Sequence, residues 1–151
     1  MFKTVIRNSP NHSDRNGVEV DTIMLHSTAA PVRSAVEWLC NPNSKVSAHY
    51  VVAKDGTVYK LVPTSRAAWH AGRCRVANAN RRSIGIEVEQ LPGDLWTAEQ
   101  EDVVYRLVLV LRRAIPTISY LVGHREWNSR KTDPYGVDMN RWRERTNTMF
   151  I

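Results

Sequence analysis

Apolar positions along the chain fall into two kinds of run, and each kind predicts a different element. Strand-length apolar or alternating stretches cover residues 18–25, 46–53, 57–62, 83–89 and 118–122. Within 83–89, Ile84, Ile86 and Val88 share one face, and Gly85, Glu87 and Glu89 share the other. That period of two belongs to a strand with one buried face. Residues 46–53 and 57–62 flank Asp55-Gly56, a dipeptide suited to a tight hairpin turn. Helical spacing marks the other runs. Val32, Ala35, Val36 and Leu39 make a stripe over 32–39; Val103, Val104, Leu107, Val108 and Leu111 make one over 97–114. Thr97 and Gln100 have the spacing of a capping box, which predicts where the longer helix begins. A last helix is predicted over 139–146. The order of elements predicts an α/β fold, a central mixed sheet with helices packed on it.

Polar stretches separate these runs. Residues 9–17 read as a surface loop, 41–44 as a helix-to-strand connection, and 73–82, with Asn78, Asn80, Arg81 and Arg82, as the rim of a groove. A chain of 151 residues is long enough for one sizeable core and too short for two ordinary domains. A single domain over 1–151 is therefore expected, with no separate binding module. Hydrophobic residues at 42% and charged residues at 24% fit a soluble globular protein, and no run approaches membrane-spanning length, so stable membrane insertion is not expected. Residues 1–8 lack the apolar core and cleavage site of a secretory signal, so synthesis and first residence in a cytoplasm are expected. In that reducing compartment Cys40 and Cys74 are expected as free thiols.

Lysine and arginine total 21 against 15 acidic residues, a net charge of +6 that favours polyanions. Arg125, Arg130, Lys131, Arg141, Arg143 and Arg145 concentrate it in the last quarter. No aromatic–basic RNA motif or recognition helix accompanies them, so nucleic acid is not the expected partner. Anionic bacterial walls are one remaining reading, and a solvated basic face that aids solubility is the other.

Three residues suggest chemistry. His26 follows the run 18–25, His124 follows 118–122, and Asp133 lies in the loop beyond, at His-x₈-Asp spacing. Two imidazoles and a carboxylate make a three-ligand Zn²⁺ site with one open position, where water becomes a nucleophile near neutral pH. Hydrolysis at such a metal also needs a base and a positive group for the developing oxyanion. Glu87, on a strand face free of large apolar groups, is the candidate base; Lys131, two residues before Asp133, is the candidate oxyanion partner. Taken singly, each residue has a plainer reading: a packed histidine, a solvated glutamate, a surface lysine. His49, inside an apolar strand, either orients a ligand or packs. His12, with no pattern around it, is expected to be solvent-exposed.

Seven ordered segments carry a more specific signal. They are Met24-Leu25-His26-Ser27-Thr28, Val46-Ser47-Ala48-His49-Tyr50-Val51-Val52, Asp55-Gly56-Thr57-Val58-Tyr59 and Ala68-Trp69-His70-Ala71-Gly72. Ser83-Ile84-Gly85-Ile86-Glu87-Val88-Glu89, Val122-Gly123-His124 and Arg130-Lys131-Thr132-Asp133-Pro134 complete the set. Together the chain resembles the type-2 N-acetylmuramoyl-L-alanine amidases over residues 20–142, a family that includes phage endolysins, muropeptide-recycling amidases and peptidoglycan recognition proteins.

The resemblance implies a mixed sheet with the long helix on one face and a zinc groove on the other. It implies His26, His124 and Asp133 as zinc ligands, Asp133 filling a position that some members give to cysteine. It places a catalytic glutamate and lysine at Glu87 and Lys131, as in recycling amidases. Trp69 and His70 match a segment that lines the substrate groove, where they stack on sugar or hold the peptide stem; a structural turn is the other reading. One departure stands out. Endolysins and recognition proteins often carry a catalytic tyrosine where this chain has Ala48. Strand alternation would put Tyr50 on the same sheet face as Ala48, and the missing tyrosine's work is assigned to Glu87.

The expected function is a zinc amidase that cuts bacterial peptidoglycan between N-acetylmuramic acid and L-alanine, acting as a monomeric phage endolysin after the host membrane opens. The short connection between Thr28 and Val46 favours the endolysin over the alternative, a cytoplasmic recycling amidase acting on soluble anhydro-muropeptides. A non-catalytic recognition module is the alternative from another class; Asp133 argues against it, because inactive recognition proteins usually lack the third ligand.

Overall fold

The computed structural model describes residues 1–151. Its strands are β1 (Thr4–Ile6), β2 (His12–Ser13), β3 (Thr22–Ser27), β4 (Tyr50–Val52), β5 (Val58–Lys60), β6 (Ala67–Ala68), β7 (Ser83–Val88) and β8 (Tyr120–Gly123). Its helices are α1 (Val32–Leu39), α2 (Ala79–Arg82), α3 (Ala98–Ala114), α4 (His124–Trp127) and α5 (Met139–Thr146). Six strands form one mixed sheet in the order β1-β5-β4-β7-β3-β8, and β2 pairs with β6 in a separate two-stranded ribbon. Strands β4, β7, β3 and β8 run parallel, β5 folds back antiparallel on β4, and β1 lies parallel to β5. The chain is thus a single α/β domain with a central mixed sheet.

Every residue of β3 is buried between β7 and β8, which is why residues 18–25 end in a continuous apolar run rather than an alternating one. The two faces of the sheet have different cover. Ile23, Leu25, Tyr50, Val52, Ile84, Ile86, Val88 and Leu121 pack under α3 and α5 in a core of 18 buried residues. From α3 come Val103, Val104, Leu107, Val108 and Leu111, the stripe seen in the sequence. Burying side chains of this size contributes about 1.5–3 kcal/mol each. The other face has two smaller clusters. Met24 and Val122 pack with Ala71, Ala79 and Trp127; Ala48 and Val51 pack with Val36 and Leu39 of α1. The groove opens between these clusters, on the face away from α3, as expected.

Local signals place α3 accurately. Thr97 Oγ1 accepts from the Gln100 amide at 3.1 Å, and Gln100 Oε1 accepts from the Thr97 amide at 2.9 Å. Glu99 and Glu101 in the first turn and Arg112 and Arg113 in the last complement the helix dipole. The hairpin forms at Asp55-Gly56, where Gly56 takes φ +80°, a conformation other residues rarely adopt.

Several expectations are corrected. Regular pairing in β4 begins only at Tyr50, so residues 46–49 do not continue its alternation. Tyr50 therefore joins the core under α3, while Ala48 packs beneath α1, and the two do not share a face. His12 is half-buried in β2, with Arg66 Nε donating to its Nδ1 at 3.2 Å, rather than solvent-exposed. The polar stretch 9–17 is more than a surface loop: Ser9, Asn11 and Arg15 are buried. Asn11 Nδ2 donates to the carbonyls of Asn41 and Val46, both at 2.8 Å, so hydrogen bonding offsets the cost of its burial. Cys40 and Cys74 are free thiols, as expected. No helix is long and apolar enough to cross a membrane.

Candidate active site

The site lies at the carboxyl ends of three neighbouring parallel strands, where open α/β sheets place their ligands. His26 is the fifth residue of β3 and sits directly opposite Glu87 of β7. Gly123 ends β8 opposite Leu25, and His124 follows at once as the first residue of α4. Glu126 caps that turn by accepting from the Gly123 amide at 2.8 Å, and is held by Arg143 at 2.9 and 3.1 Å. Asp133 arrives from the following loop. Its carbonyl accepts from the Arg125 amide at 2.9 Å. Two residues on, the Tyr135 amide donates to Ser27 Oγ at 3.1 Å, and Ser27 Oγ donates to Gln90 Oε1 at 2.7 Å.

These supports bring His26, His124 and Asp133 together, all buried. His26 Nδ1 and His124 Nδ1 are 3.1 Å apart, and each is 3.3 Å from Asp133 Oδ2. A tetrahedron with zinc bonds of 2.0–2.1 Å has edges of about 3.3 Å, so the three donors fit one face of such a site. Burial lowers the His26 pKa to about 4, with the neighbouring Asp133 carboxylate opposing it. Burial also works against ionisation of Asp133, but the neighbouring His124 and His26 outweigh it and hold its pKa far below the usual range. Neutral imidazole and ionised carboxylate are the forms that ligate metal.

The outward ring atoms of the histidines are also engaged. His124 Nε2 donates to the Ala71 carbonyl at 2.9 Å. His26 Nε2 lies 2.9 Å from His70 Nδ1, and His70 Nε2 lies 3.1 Å from Ser83 Oγ. His70 borders the groove but is buried, and both its ring nitrogens face protein partners rather than solvent. Residues 73–82, expected to rim the groove, contribute none of its lining; they hold α2, whose Asn80 Oδ1 accepts from the His70 and Ala71 amides at 3.0 and 2.8 Å. His49 is fully buried and packs: its Nδ1 accepts from the Gly85 amide at 2.9 Å, and its Nε2 donates to the Arg66 carbonyl at 2.9 Å.

Glu87 stands beside the cluster with its side chain 14% exposed and Oε1 3.9 Å from His26 Nδ1. Its Oε2 is buried without a hydrogen-bond partner. Burial first, then the charge of Asp133, raises its pKa well above the usual value, with Lys131 opposing. Lys131 is exposed and lines the same groove. The groove encloses about 370 Å³. One wall is apolar, with Ala35, Trp38, Leu39 and Val46; the opposite loop brings Arg130 and Lys131. Trp69, half-buried, lines the groove with its Nε1 donating to Ser13 Oγ at 3.2 Å. Trp38 is a groove residue that sequence reasoning missed, although a tryptophan off the apolar stripe of α1 was its signal.

The sequence pattern of the N-acetylmuramoyl-L-alanine amidase family matches residues 16–136. The chain belongs to this family. Among curated amidases, Bacillus subtilis N-acetylmuramoyl-L-alanine amidase CwlA is 27% identical over 131 residues, covering 84% of this chain and 48% of the relative. The chain thus spans about half the length of that relative. A mutant endolysin from Bacillus subtilis superposes with a TM-score of 0.77 at 25% identity, covering 97% of this chain and 98% of that one. AmpDh3 from Pseudomonas aeruginosa, solved in complex with an anhydromuramic pentapeptide, gives 0.75 at 25% identity, covering 92% and 63%.

Proposed function

We propose that the chain is a single-domain, zinc-dependent amidase that cleaves peptidoglycan between the lactyl group of N-acetylmuramic acid and L-alanine. The observation that carries this reading is the set of two Nδ1 atoms and a carboxylate at 3.1–3.3 Å separations, with the unpartnered Glu87 carboxylate beside it. His26, His124 and Asp133 would hold zinc, which would supply a Lewis acid for the scissile carbonyl and lower the pKa of water. Glu87, with its raised pKa, takes the proton of the attacking water and passes it to the leaving amine. Lys131 stabilises the oxyanion from the groove's basic side. Trp69 and Trp38 offer aromatic surface to the saccharide.

The endolysin role is the preferred setting, supported by the short connection between Thr28 and Val46 and by likeness to a Bacillus endolysin over nearly all of both chains. Action on soluble anhydro-muropeptides is the second reading, favoured by likeness to AmpDh3, which was solved with such a ligand. Digestion of purified sacculi, with and without chelation, tests the proposal. Release of L-alanyl peptides from intact glycan, lost on chelation and restored by zinc, is the expected result. Intact sacculi with cleaved anhydro-muropeptides would move the enzyme to the second setting. Binding without cleavage of either substrate would overturn the catalytic reading.

A further inference from the structure

A chain of hydrogen bonds runs from the His26–His124–Asp133 cluster into the protein and ends on a group that can only accept. Ser83 Oγ lies 2.5 Å from the Ala79 carbonyl, so its single proton points there. Its lone pairs then face His70 Nε2 at 3.1 Å, which must carry the hydrogen and donate. A neutral imidazole with a proton on Nε2 has none on Nδ1, so His70 Nδ1 accepts from His26 Nε2 at 2.9 Å. His26 thereby keeps its proton on Nε2 and turns a free Nδ1 lone pair toward His124 and Asp133. The reverse order would protonate His26 Nδ1 and close it to metal. It would also aim two lone-pair acceptors at each other between Ser83 and Ala79.

We infer that His70 is a positioning residue which, oriented by Ser83, fixes His26 in the metal-binding tautomer. The inference rests on the reading of this cluster as a zinc site. Two features of the fold fit it. An ideal Cβ on Gly85 would lie 2.5–2.7 Å from the His70 ring, so the glycine is what lets the ring seat behind β3 and β7. Asn80 Oδ1 holds the amides of both His70 and Ala71, and so sets the two residues whose acceptors serve His26 and His124. His124 reaches a backbone carbonyl directly, and His26 reaches one through two side chains.

The test measures zinc affinity of the metal-free protein by competition with a chromophoric chelator, and the His26 tautomer by long-range ¹H–¹⁵N NMR. Loss of such an outer partner typically weakens metal binding about 10–100-fold. That loss is expected for His70→Ala, with His26 shifting to a mixture of tautomers. His70→Asn, whose Oδ1 can take the place of Nδ1, should retain affinity within about threefold. Ser83→Ala, which leaves the imidazole in place, should weaken zinc in the same direction and serves if His70→Ala does not fold. Equal zinc affinity in wild type, His70→Ala and Ser83→Ala, or His26 protonated on Nδ1 in the wild type, would overturn the inference alone. A folded wild-type chain that binds no zinc would overturn the metal reading beneath it.

Discussion

Glu87 Oε1 stands 3.9 Å from His26 Nδ1 across paired strands, while Glu87 Oε2 is buried with no hydrogen-bond partner. A carboxylate in that position has no structural bond to lose, which suits a group that exchanges protons beside a metal. Glu87→Ala is expected to lower kcat by at least about 10²-fold, the usual scale for a lost acid–base group. Zinc content should stay at one ion per chain, since the proposed ligand atoms belong to His26, His124 and Asp133. Elemental analysis alongside the sacculus assay checks both, and a near-normal rate in the zinc-loaded variant would move the base elsewhere.

The same isolation has a cost for stability. Burial and the neighbouring Asp133 raise the Glu87 pKa well above its ordinary value near 4.5. Below that ordinary value, folded and unfolded chains both hold the proton and nothing is lost. As pH rises through the ordinary value, the unfolded chain ionises first and stability falls, until the folded carboxyl ionises at its raised pKa. Glu87→Gln removes that loss. The metal-free variant should melt above the metal-free wild type at pH 7, by about 2–4 °C for each kcal/mol recovered, and the gap should close by about pH 4. Melting curves at the two pH values decide it; a variant less stable at both would show that the buried oxygen has a partner after all.

Zinc should act as a folding ligand. A ligand present at about 100 times its Kd stabilises the native state by about 2.7 kcal/mol, or about 5–10 °C in a domain of this size. Chelation should lower the melting temperature on that scale, and Asp133→Ala, lacking one ligand, should show a much smaller response. Equal melting temperatures with zinc and with chelator would remove the metal from the folded state.

Elements whose signals are local were legible in the sequence. The stripes of α1 and α3, with the Thr97–Gln100 box, mark their helices to within a residue. Strands β1, β2 and β6, two or three residues long, carry no period and owe their existence to pairing partners far along the chain. The expectation about Tyr50 failed for a related reason: alternation predicts a face only where the backbone is regular, and it is not at 46–49. The three residues of the candidate metal site were legible because their types and flanking motifs point to that chemistry, and the fold brings them together. The role of His70 was not, because it depends on which carbonyl a serine hydroxyl faces 13 residues away.

Trp38 separates binding from folding. It is 57% exposed and lines the groove, so Trp38→Ala should leave the melting temperature within about 2 °C of wild type, as expected for a surface change. A lost aromatic contact of about 0.5–1.5 kcal/mol predicts KM raised about 2–10-fold with kcat little changed. Unchanged KM on both sacculi and soluble muropeptides would remove this residue from the substrate path.

Gly123 tests how closely the ligand loop must approach the sheet. Its backbone, at φ −87° and ψ 150°, suits any residue, so the need for glycine here is steric alone. An ideal Cβ would lie 2.8 Å from Pro134 Cδ and 3.3 Å from Met139 Cγ. Pro134 follows Asp133, so pushing it outward carries the third ligand away from the histidines. Gly123→Ala should therefore cost about 1–3 kcal/mol by overpacking and weaken zinc as well. Methionine 139 is flexible and can yield, whereas the proline ring is rigid and its loop must move. Wild-type zinc affinity in a destabilised Gly123→Ala protein would show that the loop shifts without moving Asp133, and that the ligand is placed by Ser27, Gln90 and Arg125 alone.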